Sequence, residues 1–127
     1  MAAKIIDGRQ VAASIRQECK ARVAALREHR GVTPGLAVIL VGDNPASAVY
    51  VGSKIKACAE VGIRSFKKQY PASIDEDTLI TAIEGFNRDP NVHGILVQLP
   101  LPPHIDMRRV LKTIDASKDV DGFHLYN

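Results

Sequence analysis

Two apolar runs constrain the fold more than any other feature of the sequence: Gly35-Leu36-Ala37-Val38-Ile39-Leu40-Val41 and Val92-His93-Gly94-Ile95-Leu96-Val97-Gln98-Leu99. Strands half-exposed to water alternate polar and apolar residues, whereas strands covered on both faces read as nearly continuous Val, Ile and Leu. Sheets covered on both faces are built from parallel strands joined by helical crossovers, and helix-period stretches do separate these runs. The expected fold is therefore a three-layer α/β/α domain with a mostly parallel sheet of about four strands.

A short strand, Lys4-Ile5-Ile6, leads into Asp7, which with Gln10 makes a capping-box pattern. Val11, Ile15, Cys19, Val23 and Leu26 then share a helical face until Gly31. After the first apolar run, Gly42-Asp43-Asn44-Pro45 turns the chain into a helix expected from about Ser47 to Gly62. Ile63 to Tyr70 reads as an edge strand, since Arg64, Lys67 and Lys68 are hard to bury. Ser73 with Glu76 is a second capping box, opening a helix with Leu79, Ile80, Ile83 and Phe86 on one face. The second apolar run reads as another central strand. A proline loop, Pro100-Leu101-Pro102-Pro103, leads to a short helix bearing Met107, Val110, Leu111 and Ile114, and the chain closes on Tyr126-Asn127.

At 127 residues, 46% hydrophobic and 24% charged, this is one domain. No apolar run approaches the roughly 18–20 residues that span a bilayer. The opening residues lack a signal peptide's apolar core and cleavage site, so a cytoplasmic chain with no membrane contact is expected. Cys19 and Cys58 sit in apolar-periodic stretches as small hydrophobes, with no disulfide framework. A charge of +3 and 5% aromatics give no stacking platform for nucleic acid. Asp119 and Asp121 lack the rest of a calcium loop, and His29, His93, His104 and His124 lack zinc spacing, so no metal is expected and the histidines read as solvated or turn residues. Neither G-x-G-x-x-G nor G-x-x-x-x-G-K-[ST] occurs, so no cofactor site is expected in this chain.

Tyr50 and Lys54, four residues apart, project from one helical face, with Ser47 a turn earlier and Lys56 roughly 200° away. Val51, Ile55 and Cys58 form a separate stripe toward the core. A helix that follows a central strand begins at the carboxyl edge of the sheet, where open α/β folds bind ligands. The same spacing also serves an exposed pair that merely packs together. Gln98, a polar amide at the end of an apolar strand, needs a partner, because an unpaired buried amide costs about 1–3 kcal/mol. That partner is either a group at the sheet's mouth or the proline loop. Asp121-Gly122 reads as a turn presenting one carboxylate, and Arg64, Lys67 and Lys68 either meet a carboxylate-bearing tail or form a solvated edge.

Three motifs in order then carry a resemblance: Val41-Gly42-Asp43-Asn44-Pro45-Ala46-Ser47 with Tyr50-Val51-x-x-Lys54-x-Lys56-Ala57-Cys58; Gly94-Ile95-Leu96-Val97-Gln98-Leu99-Pro100-Leu101-Pro102; and Lys118-Asp119-Val120-Asp121-Gly122-Phe123. The chain resembles the bifunctional methylenetetrahydrofolate dehydrogenase/methenyltetrahydrofolate cyclohydrolase family of one-carbon metabolism, over residues 1–127, as that family's folate-side catalytic domain. The family's NADP-binding Rossmann domain, its glycine- and proline-rich folate-site segment and its final helix have no counterpart in this chain. The resemblance implies tetrahydrofolate derivatives as substrates, a contribution to purine biosynthesis, and a homodimeric parent using NADP or NAD. It makes Lys54 the catalytic lysine, Tyr50 the residue packing on the folate rings, Gln98 the partner that positions Lys54, Asp121 the carboxylate holding the pterin's amino-pyrimidine edge, and Ser47 a further substrate contact.

Cyclohydrolysis adds water to a cationic methenyl carbon and opens a ring C–N bond. It needs a proton acceptor and then a donor, and one lysine can serve as both when desolvation and the substrate's positive charge favour its neutral form. Hydride transfer asks mainly for positioning. Two further readings stay open: a catalytically silent folding or interaction module prone to self-association, and an unrelated lysine enzyme forming a Schiff base, which borohydride would trap.

Overall fold

The structure, a computed structural model, describes residues 3–123; His124 and the closing Tyr126-Asn127 lie outside them. The first apolar run forms β1 (Gly35–Val41), whose side chains divide with a period of two. Ala37, Ile39 and Val41 enter one core, while Leu36, Val38 and Leu40 face a second core across the sheet. Burial on both sides is the physical source of the missing polar alternation.

β1 pairs in parallel with β2 (Arg64–Tyr70) and with β3 (Gly94–Val97), giving the order β2-β1-β3. α2 (Pro45–Val61) covers one face, where Val51 and Ile55 pack on Val38, Leu40 and Leu96. α3 (Glu76–Arg88) and α4 (Met107–Thr113) cover the other through Leu79, Ile80, Ile83 and Val110. α1 (Gly8–Arg30) packs against α2 on its outer side. The expected three-layer architecture is present, with three parallel strands among the described residues.

The fourth expected strand is not formed. Lys4-Ile5-Ile6 pairs with no strand among the described residues, and Ile5 and Ile6 are 91% and 83% exposed. β2 is the polar edge that its arginine and lysines indicate. β3 differs from expectation, being lateral rather than central, yet all four of its residues are buried. Its outer side is closed by the chain after α4: Asp119 makes a parallel bridge to Ile95, and Val120 lies so close that a Cβ on Gly94 would stand 2.6 Å from its methyl carbon. An apolar run thus reports burial, not the number of strand neighbours.

Helix ends follow local chemistry. Asp7 accepts hydrogen bonds from the Arg9 and Gln10 amides, and Gly31, at φ 64°, ends α1. Asn44 accepts from Ala46 and Ser47, so α2 starts at Pro45, ahead of the expected Ser47. For α3 the cap is Asp75, which accepts from Thr78, rather than Ser73. Ser73 is committed to a turn closed by the Ile74 amide on the Pro71 carbonyl, and the His104 ring Nε2 bonds the Ile74 carbonyl at 2.7 Å. His93, exposed and immediately before β3, is tied to β1 instead, its Nδ1 accepting from the Gly35 amide at 3.0 Å and its own amide donating to the Gly35 carbonyl. On α1 the expected stripe is exposed over most of its length: Val23 is buried and Cys19 half-buried, while Val11, Ile15 and Leu26 face outward. Among the described residues no helix is long and apolar enough to cross a membrane, and no cluster of His, Cys, Asp or Glu could hold a metal ion.

Candidate active site at the carboxyl edge of the sheet

Parallel pairing places the carboxyl ends of the three strands at one edge, and three chain segments carry the candidate residues, two that leave this edge and the turn after α4. The first is the turn from β1 into α2. Gly42, at φ 91°, lets the chain reverse and donates its amide to the Tyr70 carbonyl at 2.8 Å, tying the turn to the end of β2. From there Ser47 points inward and is 5% exposed, Tyr50 stands out at 58%, and Lys54, one turn on, is half-buried. Of the expected stripe, Val51 and Ile55 pack this helix on the sheet, and Cys58 is buried farther along it.

Gln98 lies one residue beyond β3, where its amide still donates to the Ile39 carbonyl at 2.9 Å and extends the ladder with β1. Its side chain then meets both partners that the sequence left as alternatives. Nε2 donates to the Leu99 carbonyl at 3.1 Å, and Oε1 accepts from Lys54 Nζ at 2.9 Å. With Nε2 engaged by the loop, the amide offers Lys54 an acceptor only. An amine that donates one N–H to Gln98 keeps its remaining protons, or its lone pair when neutral, for the open side.

The third segment is the turn after α4. Asp121 is exposed, and the Gly122 amide donates to Asp119 Oδ1 at 3.1 Å, with Gly122 at φ 72°. Partial desolvation by surrounding protein raises the Asp121 carboxyl above the ordinary aspartate value, attraction to Lys54 opposes the rise, and repulsion from Asp119 adds to it. Lys54 and Asp121 therefore feel each other across the edge. Lys54 and Gln98 are in direct contact, Tyr50 and Ser47 lie on the turns before Lys54, and Asp121 lies on a separate loop within reach of the Lys54 charge. Arg64, Lys67 and Lys68 remain on the β2 edge.

A family model described as tetrahydrofolate dehydrogenase/cyclohydrolase, catalytic domain, matches residues 6–121, a span that holds all five candidate residues. The chain belongs to this family. The bifunctional protein FolD of Methylibium petroleiphilum is 56% identical over 125 residues, covering 98% of this chain and 44% of the relative. Among solved structures, the bifunctional FolD dehydrogenase/cyclohydrolase of Campylobacter jejuni superposes with a TM-score of 0.95 at 48% identity, over 98% of this chain and 44% of that one. The Trypanosoma brucei dehydrogenase-cyclohydrolase, solved with NADP and an inhibitor, matches with a TM-score of 0.88 at 41% identity, over 95% of this chain and 41% of its own. This tetrahydrofolate dehydrogenase/cyclohydrolase domain thus spans less than half the length of the relatives it matches.

Sequence reasoning gave Lys118 and Asn87 no role, yet both shape the third segment. Lys118 Nζ donates to the carbonyls of Phe86, Asn87 and Asp89, and the Asn87 side chain bridges the Thr113 carbonyl and the Asp115 amide. A signal was available: α3 is followed by Asp89-Pro90 rather than by glycine, so its last carbonyls need a donor from elsewhere.

Proposed function

We propose that this chain is the folate-side catalytic domain of an enzyme that oxidises 5,10-methylenetetrahydrofolate to 5,10-methenyltetrahydrofolate with NADP and hydrolyses that product to 10-formyltetrahydrofolate. The observation that carries the reading is the Lys54–Gln98 hydrogen bond of 2.9 Å at the carboxyl edge of a parallel sheet, in a chain of this family. In cyclohydrolysis the Lys54 amine accepts a proton from the water that adds to the cationic methenyl carbon. The resulting ammonium then returns a proton to the ring nitrogen as the C–N bond opens, so the lysine ends as it began. Gln98 holds the amine on the leucine–proline loop through both steps. Tyr50, standing exposed a turn before Lys54, offers a ring for the flat pterin, Ser47 on the same helix offers a hydroxyl, and Asp121 offers a carboxylate to the amino-pyrimidine edge.

NADP, when bound, supplies the hydride acceptor. The residues of this chain do not fit it. A dinucleotide pyrophosphate is typically held by free amides at a helix N-terminus after a central strand. Here Asn44 already engages the Ala46 and Ser47 amides, and Pro45 has none to give. Calorimetric titration of the chain with tetrahydrofolate tests the reading. Saturable one-site binding that Asp121→Ala weakens is expected, and heats indistinguishable from dilution would favour the silent module instead.

A further inference from the structure

The ammonium of Lys118 sits in a crown of three carbonyls at the carboxyl end of α3, at 3.0, 2.7 and 3.1 Å from Phe86, Asn87 and Asp89. Phe86 and Asn87 belong to the last turn of α3 and Asp89 caps it; the Phe86 and Asp89 carbonyls also accept the Asp89 and Val92 amides, and the end of the helix dipole favours a cation there. The half-buried lysine is thus fixed at its tip, while its backbone closes the 3₁₀ turn by donating to the Asp115 carbonyl at 2.8 Å. The next residue, Asp119, is locked by its bridge to Ile95, and Val120 presses on Gly94. Two residues further lies Asp121.

We propose that Lys118 is a positioning residue: its anchorage in the carboxyl end of α3 holds the 119–122 turn against the sheet and so sets where Asp121 stands relative to Lys54. The consequence for ligand affinity rests on the proposed role of Asp121 in holding the pterin edge; the positioning itself does not. Removing the anchor loosens the turn from β3, and the exposed Asp121 carboxylate loses the protein atoms that still shield part of it from water. Charge and position act in opposite directions here. A fainter pull from Lys54 would raise the Asp121 carboxyl, whereas fuller release into water returns it toward the ordinary aspartate value.

The test follows the Asp121 side-chain carboxyl by carbon-13 NMR titration of the ligand-free 127-residue chain, alongside Lys118→Met and Lys118→Arg. Positioning predicts that the midpoint falls toward the ordinary value in Lys118→Met and is restored in Lys118→Arg, with the amide spectrum of the strands intact. A midpoint that stays where it was, or rises, in a folded Lys118→Met chain would overturn the proposal. Should that variant not fold, Lys118→Gln, which keeps an amide donor, is read in its place: a partial fall supports the anchor and no movement refutes it. In calorimetry with tetrahydrofolate, Lys118→Met and Asp121→Ala should each weaken binding about tenfold or more, with the double variant no weaker than Asp121→Ala alone. Additive losses would overturn a role exerted through Asp121. An unchanged affinity in Asp121→Ala would refute the pterin role while leaving the NMR titration to decide on Lys118.

Discussion

Asp121 is exposed, yet surrounding protein removes part of its water. Its carboxyl is raised mainly because protein atoms displace water around it, with Lys54 only partly compensating. For an acid whose folded value lies above its unfolded one, the ionised form is destabilising. That effect is absent below the ordinary aspartate value, grows as pH rises through the folded value, and is complete above it. Asp121→Asn should therefore raise the melting temperature of the ligand-free chain slightly at neutral pH, with the gain disappearing in acid; a lower melting temperature at neutral pH would contradict the burial argument. Asp121→Ala should weaken tetrahydrofolate binding by about 1.5–3 kcal/mol, the loss of a charge-assisted hydrogen bond, as measured by calorimetry. Gly35 sets a different limit, since a Cβ there would stand 2.1 Å from the Asn91 carbonyl oxygen, which is backbone, and 2.9 Å from the Phe66 ring. Gly35→Ala should cost about 3 kcal/mol in urea unfolding, and a loss below about 1 kcal/mol would show that the turn yields.

Elements are latched together by carboxylates as well as by the core. Glu76, in the first turn of α3, accepts from the Asp106 amide at the start of α4 and from Arg109, which also reaches Asp77 at 2.8 Å. The Asp106 amide first, and Arg109 second, hold the Glu76 carboxyl below its ordinary value. A depressed carboxyl stabilises the fold above the ordinary value and loses that effect as pH falls through the folded one. α4 has only seven residues and little helical stability of its own. Glu76→Gln should accordingly speed hydrogen exchange of the α4 amides at neutral pH, with the difference from the unmutated chain shrinking in acid; equal protection at neutral pH would remove the latch. None of this was legible from the capping pattern. Ser73-x-x-Glu76 and Asp75-x-x-Thr78 both fit a helix start, and the choice falls to Asp75 because the Pro71 turn and His104 fix Ile74, while Glu76 is engaged by a helix thirty residues away. By contrast β1, α2 and the shared face of Tyr50 and Lys54 were legible, because the period of two or of 3.6 is a local property. Gln98 was legible as a polar group needing a partner, but its choice of both Lys54 and the loop was not.

At the scale of the whole molecule, the sheet is packed on both faces, whereas the amino-terminal half of α1 and the residues before it show Ile5, Ile6, Val11 and Ile15 to solvent, and α2 shows Val49 and Tyr50. Periodicity placed Val11 and Ile15 on one face of α1 without revealing that little packs on it, since a stripe specifies direction and not its partner. Apolar surface of this kind promotes association. The chain should grow in apparent mass with concentration in light scattering, less so as Ile15→Glu; a clean monomer at high concentration would contradict this. NADP reduction with methylenetetrahydrofolate should be undetectable for the chain alone, because no amide cradle for the dinucleotide is free beside β1. In the proposed mechanism Lys54, held by Gln98, moves the protons of cyclohydrolysis. Its most direct test is the hydrolysis of methenyltetrahydrofolate by the full-length protein carrying Lys54→Met, with dehydrogenation assayed in parallel. The expected result is loss of cyclohydrolase activity with tetrahydrofolate binding and some dehydrogenase activity retained; cyclohydrolase activity within about twofold of the unmutated protein, less than 0.5 kcal/mol of barrier, would contradict it.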